Sequence, residues 1–162
     1  MGKVRVELQI SAPATDVWNA LADYGGIHKF HPNVDKSFVL EGSPSEGMGA
    51  QRRCDLSDGK NHVLERVTEW IPGESYTVDI YDGTMPLRTA QATVGVEASS
   101  PMTSIAFMEM DYLPKFGIIG RIMDVFMMQQ QMNRIGSNVL TGLADFVSPK
   151  SVDLTKNGGK RI

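Results

Sequence analysis

The residues from 116 to 147 form the stretch that most constrains the fold of this chain. Its large apolar side chains recur at steps of three and four residues, the spacing of one face of an α-helix: Ile119, Ile122, Met123, Phe126, Met127, Met132, Ile135, Val139, Leu143 and Phe146. A helix of roughly 32 residues would be on the order of 48 Å long. Its second half is too polar to span a membrane, so we expect no stable membrane insertion. A helix with one long apolar face needs an equally large apolar partner, which the segments before it must supply.

Those earlier segments have the period-two alternation of β-strands. The first runs over residues 4–10, and Pro13 then suits the first turn of a short helix, which a second helical turn follows. From residue 36 onward the alternation resumes in about six segments, separated by turns such as Asp58-Gly59 and Asp82-Gly83. This order of elements predicts an α+β fold, in which an antiparallel sheet packs its apolar face against helices.

Length and composition are those of one domain without a nucleic-acid partner. The chain has 162 residues, 41% of them hydrophobic, and a domain of this size can bury roughly 70% of its unfolded surface. We predict a single domain over 1–147 and a polar, disordered tail over 148–162, where the periodicity is lost. The net charge is −3 and the basic residues are scattered, which argues against nucleic-acid binding. The single cysteine and an N-terminus without a signal-peptide core indicate a cytoplasmic protein.

Short motifs along the chain resemble those of a known superfamily, the START-related, birch-pollen-allergen-like proteins (SRPBCC), which include polyketide cyclase/dehydrase-like members. The similar motifs are Ile10-Ser11-Ala12-Pro13, Val17-Trp18, Leu21-Ala22-Asp23-Tyr24, Phe30-His31-Pro32 and Glu65-Arg66. The resemblance covers residues 3–147. It implies a helix-grip fold, in which a curved antiparallel sheet of about seven strands wraps around the long C-terminal helix, with two short helices after the first strand. It also implies a deep cavity between the sheet and that helix.

The spacing of Lys36, Arg52, Glu65 and Leu87 also resembles, more distantly, that of the plant abscisic-acid receptors. In those receptors the lysine that matches Lys36 contacts the ligand carboxylate, and the glutamate that matches Glu65 holds polar groups through water. The gating loop departs from the receptor pattern, because Ser-Asp-Gly-Lys stands here where the receptors have Ser-Gly-Leu-Pro. The latch motif is absent as well. We therefore do not expect hormone recognition with phosphatase docking.

The strand parities and the resemblance together predict a ligand-binding site that faces the cavity. Its residues are Lys36, Phe38, Arg52, Cys54, Leu56, Val63, Glu65, Val67, Tyr76, Ile80, Leu87, Phe107, Glu109, Met123, Phe126 and Met127. The charges of Lys36, Arg52, Glu65 and Glu109 are unfavourable in a dry interior unless they are paired. Either these residues anchor the ligand, or they form internal ion pairs near the cavity mouth, or a strand has the opposite register.

The predicted function is the binding of a hydrophobic or amphipathic small molecule or lipid in this cavity, for transport or sensing. Because Phe126 and Met127 are assigned to its wall, a large charged residue at either position should weaken binding. One alternative is a polyketide cyclase, aromatase or dehydratase, for which Glu65 and Glu109 are weak catalytic candidates. Another is a protein-interaction module without a ligand, with an apolar rim formed by the segment 113–119, which carries Phe116, Ile118 and Ile119. Monomer and dimer both stay open.

We predict neither a metal nor a cofactor. His28 and His31 have the spacing of a metal-binding pair, but a third ligand at a compatible distance is missing from the sequence. No glycine-rich run follows a strand and opens a helix, so we expect no nucleotide-binding loop. Cys54 has no histidine near it in the sequence to activate it, and we interpret it as a small buried apolar residue.

Overall fold

The computed structural model describes residues 1–115 and 121–148, with side chains at all of these positions except 121–125. The predicted rim residues Phe116, Ile118 and Ile119 lie outside the described residues, as does the tail from 149 onward. The side chain of Met123, predicted to line the cavity, also lies outside them.

The described residues form a seven-stranded antiparallel sheet and two α-helices. In chain order the elements are β1 (Gly2–Ile10), α1 (Ala14–Ala22), a 3-10 helix (Tyr24–Lys29), β2 (Val34–Val39), β3 (Gln51–Leu56), β4 (His62–Ile71), β5 (Ser75–Gly83), β6 (Leu87–Ser100), β7 (Thr103–Pro114) and α2 (Arg121–Val147). The strands lie side by side in the order β1-β7-β6-β5-β4-β3-β2, and the sheet curls into a half-barrel. The predicted α+β helix-grip fold is confirmed.

The hydrophobic core lies between the concave face of this sheet and the helices. The face of α1 that carries Val17 and Leu21 is buried, and so is the face of α2 that carries Met132, Val139 and Leu143. α2 packs against β1, β7 and α1. The second half of the long apolar-periodic stretch therefore has the large apolar partner that its pattern required.

Strand β2 shows the first departure from the predicted strand parities. Its pairing with β3 is irregular between Val34 and Lys36, so one extra residue is accommodated there. Such a bulge exchanges the two faces of the strand beyond it. Ser37 is consequently buried, whereas Lys36 is exposed and Phe38 is 39% exposed. The prediction that Lys36 and Phe38 line the cavity is wrong.

Strand β7 shows the second departure. Its buried residues include Ser104, Ala106, Met110 and Tyr112, which all have the same parity. Phe107 and Glu109 have the other parity and face away from the core. Apolar side chains occur on both parities of β7, so alternation alone does not identify its inner face. The prediction that Phe107 and Glu109 line the cavity is wrong.

The contact between α2 and the loop before β2 leaves no room for a side chain at Gly142. A Cβ atom at this position would overlap the backbone carbonyl oxygen of Phe30. A backbone carbonyl cannot rotate out of the way as a flexible side chain can. The close approach of α2 to this loop therefore requires a glycine at position 142.

We expect Gly142→Ala to lower the free energy of unfolding by about 2 kcal/mol or more, although alanine is the better helix former. Urea unfolding followed by circular dichroism measures the change. Ser137→Ala, an exposed position of α2, is the matched control and should be neutral or slightly stabilising. Equal stability of the two variants would contradict the close approach.

Candidate functional site

A cavity of about 600 Å³ lies between the concave face of the sheet and α2. This volume is within the range of about 300–1,000 Å³ that is usual for small-molecule sites. Most of its lining is apolar, including Val34, Leu56, Val78, Ile80 and Met110. Exposed residues of the lining include Ser57 and Asp58 in the β3–β4 loop, Pro86 and Gln91, and Gln131 on α2. The β3–β4 loop and Gln131 mark the solvent end of the cavity. The cavity thus combines a polar outer end with an apolar wall.

Eight of the predicted site residues line this cavity: Arg52, Cys54, Leu56, Val63, Glu65, Tyr76, Ile80 and Leu87. They lie on β3, β4, β5 and β6, where the polar and apolar parities are clearly separated in the sequence. Val67 is buried in the core, with 1% of its surface exposed, and is not part of the lining.

The apolar periodicity of α2 continues through Phe126 and Met127 and predicts that both side chains line the cavity. Their side chains are 66% and 65% exposed, so this assignment is wrong. The period of three and four residues identifies a helix face, but it does not show how far along the helix the partner surface extends. We therefore do not expect a charged residue at either position to weaken binding in the cavity.

The lining also includes residues that the sequence did not identify as cavity residues. Among them are His31, the β7 residues Met108, Met110 and Tyr112, and the α2 residues Met132, Ile135 and Val139. The three α2 residues belong to the apolar face that the sequence does reveal. The β7 residues would have followed from choosing the other parity of that strand.

A buried ion pair between Arg52 and Glu65 forms the polar part of the cavity wall. The two residues are directly opposite each other in the β3–β4 register. Arg52 Nε donates a hydrogen bond to Glu65 Oε2 at 2.5 Å, and the two side chains are only 3% and 11% exposed. The sequence left open whether these charges anchor a ligand or pair with each other inside the protein. Arg52 and Glu65 form an internal ion pair, and both residues also line the cavity.

The Arg52 guanidinium has two further contacts with the 3-10 helix. One terminal N–H donates to the Tyr24 carbonyl oxygen at 2.8 Å, and the guanidinium carbon lies 4.2 Å from the centre of the Tyr24 ring. Burial is the largest single influence on the pKa of Arg52 and lowers it. The charge of Glu65, together with the nearby Tyr76, Cys54 and Tyr24 groups, outweighs burial and raises the pKa above its ordinary value. The guanidinium is therefore charged, and it connects two strands to the 3-10 helix.

Glu109, the other acidic candidate, lies on the opposite face of the sheet. Its carboxylate accepts a hydrogen bond from Arg5, whose guanidinium also lies over the Phe107 ring at 4.7 Å. The side chains of Arg5 and Glu109 are 43% and 29% exposed. This second arginine–glutamate pair is a surface pair with no access to the cavity.

His31 contributes an uncharged imidazole to the lining. Its Nδ1 accepts the backbone N–H of Asn33 at 3.2 Å, which assigns the ring proton to Nε2. Burial, together with the charge of Arg52, lowers the pKa of His31 to about 4. His28 is engaged separately, through its Nδ1 and the Ser37 hydroxyl at 2.7 Å. Among the described residues no group of three or more His, Cys, Asp or Glu side chains is arranged to hold a metal.

The Cys54 thiol and the Tyr76 hydroxyl in the wall are neutral. Burial raises the pKa of the Cys54 thiol to about 12, and it also raises the pKa of the Tyr76 hydroxyl. Two buried tyrosine hydroxyls, of Tyr24 and Tyr112, have no hydrogen-bond partner among the described residues. Tyr112 is one of the lining residues, so its hydroxyl is an unused polar group in the cavity wall.

An aromatic cluster supports the wall behind the ion pair. Trp70 stacks on Tyr76 with ring centres 5.3 Å apart, and Trp18 of α1 meets Trp70 edge-on at the same distance. An irregularity in the β4–β5 pairing between Val67 and Glu69 turns Trp70 to the inner face. These large rings pack around Tyr76 and fix one side of the cavity.

Comparison with known proteins gives one family and several related structures. The family model described as "Polyketide cyclase / dehydrase and lipid transport" matches residues 1–146. No curated protein sequence matches the chain. Within the described residues, no helix is both long enough and apolar enough to cross a membrane.

The similar solved structures share the fold at low sequence identity. A protein from Thermus thermophilus is 21% identical, with 90% of this chain and 96% of that chain covered and a TM-score of 0.74. A START superfamily protein from Mycobacterium smegmatis is 13% identical, with 91% and 94% covered and a TM-score of 0.67. The Zhui aromatase/cyclase from a Streptomyces species is 17% identical, with 90% of each chain covered and a TM-score of 0.67.

The buried and the exposed arginine–glutamate pairs provide an internal comparison of stability. We expect Arg52→Met to lower the free energy of unfolding by about 3–5 kcal/mol, because it leaves the Glu65 charge buried without a partner. Arg5→Met should lower it by less than about 1 kcal/mol, since its pair is solvated. Urea denaturation of both variants measures the difference, and equal losses would contradict the assigned burial.

The double variant Arg52→Met/Glu65→Leu separates the loss of the pair from the isolation of one charge. Because both charges are removed together, most of the stability lost in Arg52→Met should return. A double variant as unstable as the single one would show that the pair itself contributes the stability.

His31 should make stability depend on pH in mildly acidic solution. Between its ordinary pKa of 6.5 and its folded-state pKa of about 4, the unfolded chain binds a proton that the folded chain does not. The free energy of unfolding should therefore fall by about 2–3 kcal/mol as the pH falls through this window. Thermal unfolding in a pH series should show a weaker dependence for His31→Asn than for the matched variant His62→Asn. Identical pH profiles would contradict the assignment.

Proposed function

The chain belongs to the family of polyketide cyclases, dehydrases and lipid transport proteins, and from this membership we propose that it binds a hydrophobic or amphipathic small molecule. The observation that carries the proposal is the cavity of about 600 Å³ between the sheet and α2. Its apolar wall favours the uptake of apolar surface from water, at about 25 cal/mol per Å². The polar outer end and the buried polar groups would orient a molecule that has both kinds of surface.

Catalysis as a cyclase or dehydratase is supported less well by the positions of the acidic residues. Glu109 lies outside the cavity, where it pairs with Arg5. Glu65 lines the cavity but is the counter-charge of the buried Arg52, so taking a proton from a ligand would leave the Arg52 cation uncompensated. We therefore propose binding, including transport or sensing, ahead of turnover.

The remaining expectations about partners stay predictions. The interaction-module alternative depends on an apolar rim whose residues Phe116, Ile118 and Ile119 lie outside the described residues. The cytoplasmic location and the choice between monomer and dimer also stay open. None of these points affects the cavity, whose lining comes from the described strands and from α2.

Native mass spectrometry of the purified protein, followed by extraction of any bound molecule, is the direct experiment. We expect either a retained apolar compound or stabilisation by members of a panel of lipids and polyketide-like aromatic compounds. Stabilisation of the folded state should grow with the logarithm of ligand concentration. An empty protein that gains no thermal stability from any compound would contradict the proposal.

Two alanine-to-phenylalanine variants on one strand test the location of the site. Ala92 of β6 lines the cavity, whereas Ala98 of the same strand is exposed and outside the lining. Ala92→Phe should weaken binding at least about tenfold, because the added ring occupies the cavity and makes ligand entry depend on repacking of the core. Ala98→Phe should bind as the parent protein does. Titration calorimetry with any compound found above measures both, and unchanged binding by a folded Ala92→Phe would place the site elsewhere.

A further inference from the structure

The charges around the cavity are unequally distributed between cations and carboxylates. Among the described lining residues Arg52 is the single cationic side chain, whereas Glu65 and Asp58 carry carboxylates that face the cavity or its mouth. Asp58 is exposed in the β3–β4 loop. Asp111 has the β7 parity that faces away from the core, and its carboxylate lies 3.8 Å from the Lys3 ammonium. Lys36 matches the lysine that contacts the ligand carboxylate in the abscisic-acid receptors. In this chain Lys36 is exposed and does not line the cavity. Nothing in this set offers an uncompensated positive charge.

The charge of Arg52 is already balanced inside the protein. Glu65 occupies its Nε at 2.5 Å, and the Tyr24 carbonyl oxygen occupies one terminal N–H at 2.8 Å. A ligand carboxylate next to Arg52 would bring two carboxylates to one buried cation, and two like charges at close range disfavour each other's ionised form. His31 is uncharged near neutral pH and adds no compensating charge.

The same wall still has hydrogen-bonding capacity for a neutral oxygen. The other guanidinium N–H groups of Arg52 lie against the Tyr76 hydroxyl and the Cys54 thiol, two neutral groups of the lining. The hydroxyl of Tyr112, a lining residue that is 3% exposed, has no hydrogen-bond partner among the described residues. A carbonyl or hydroxyl oxygen can accept from such donors without bringing a net charge into the cavity.

We propose that the cavity selects neutral apolar ligands that carry a ketone, ester or hydroxyl oxygen, and that it discriminates against ligands whose buried end is a carboxylate. This inference rests on the proposed binding function and specifies the class of ligand. The selectivity comes from Glu65, which neutralises the cation that would otherwise attract an acid.

Isosteric pairs of ligands isolate the charge from size and shape. Decanoate and methyl nonyl ketone differ in one oxygen against one methyl group, and naphthoate and methyl naphthyl ketone form the corresponding aromatic pair. Titration calorimetry at neutral pH should give at least about tenfold tighter binding for the ketone of each pair, because a buried carboxylate would lack a free cation. Equal or tighter binding of the carboxylates would overturn the inference and leave the binding function standing.

A charge variant tests the proposed cause. Glu65→Gln leaves the Arg52 charge without its carboxylate partner, so decanoate binding should improve at least about tenfold relative to the binding of the ketone. Glu109→Gln, the same change in the surface pair, is the matched control and should leave both affinities unchanged. Circular dichroism and thermal unfolding establish that each variant is folded. A folded Glu65→Gln without improved decanoate binding would overturn the role of Glu65.

A pH series on the unaltered protein gives a test that does not depend on the folding of any variant. Decanoate affinity should rise as the pH falls and the ligand becomes neutral, whereas ketone affinity reports any effect of protonating His31, Asp58, Glu65 or Asp111 on the cavity itself. A decanoate-to-ketone affinity ratio that does not change with pH would overturn the inference. If neither member of either pair binds, and native mass spectrometry shows no retained compound, the binding function itself fails and this inference fails with it.

Discussion

The ion pair between Arg52 and Glu65 is the constraint on which the rest of the structure depends. Both charges are removed from water, so each is tolerable only while the other is in place. A shift of β4 by one residue relative to β3 would turn one side chain to the outer face and leave the other buried alone. The pair therefore specifies the register of two strands. Through the Tyr24 carbonyl it also holds the 3-10 helix against them.

The same pair determines the chemistry of the cavity as well as its shape. A cavity wall needs polar groups for orientation, but an unbalanced charge would be unstable without a ligand. Placing the cation and its counter-charge on adjacent strands gives a wall that is polar, neutral as a unit and rigid before anything binds. In the abscisic-acid receptors that the spacing resembles, the expected cation is a lysine that meets the ligand. Here the matching position, Lys36, lies outside the cavity because of the bulge in β2, and the internal pair remains.

Much of the fold and part of the site could be predicted from the sequence, and the limits have physical causes. The order of elements and the long apolar helix face follow from local patterns, so the sequence alone predicts them. The helix-grip topology follows from the motifs that resemble those of the superfamily. On β3 and β4 the inner residues Arg52, Cys54, Val63 and Glu65 followed from alternation. The errors arose where alternation is interrupted or ambiguous, because a bulge adds one residue and reverses every later side chain. Which turns of α2 are covered depends on tertiary packing, and the helix period does not encode it.

The aromatic cluster beside the cavity has a consequence for spectroscopy. The chain has 2 tryptophans, and both lie in this cluster, with ring centres 5.3 Å apart and Tyr76 stacked on one of them. The intrinsic fluorescence and the near-ultraviolet circular dichroism of the whole chain therefore originate largely from one corner of the molecule. Since Tyr76 also lines the cavity, this corner is an internal chromophore in contact with the cavity wall. We therefore expect a molecule bound in the cavity to change the fluorescence and near-ultraviolet circular dichroism of the unlabelled protein, without a dye or an engineered reporter.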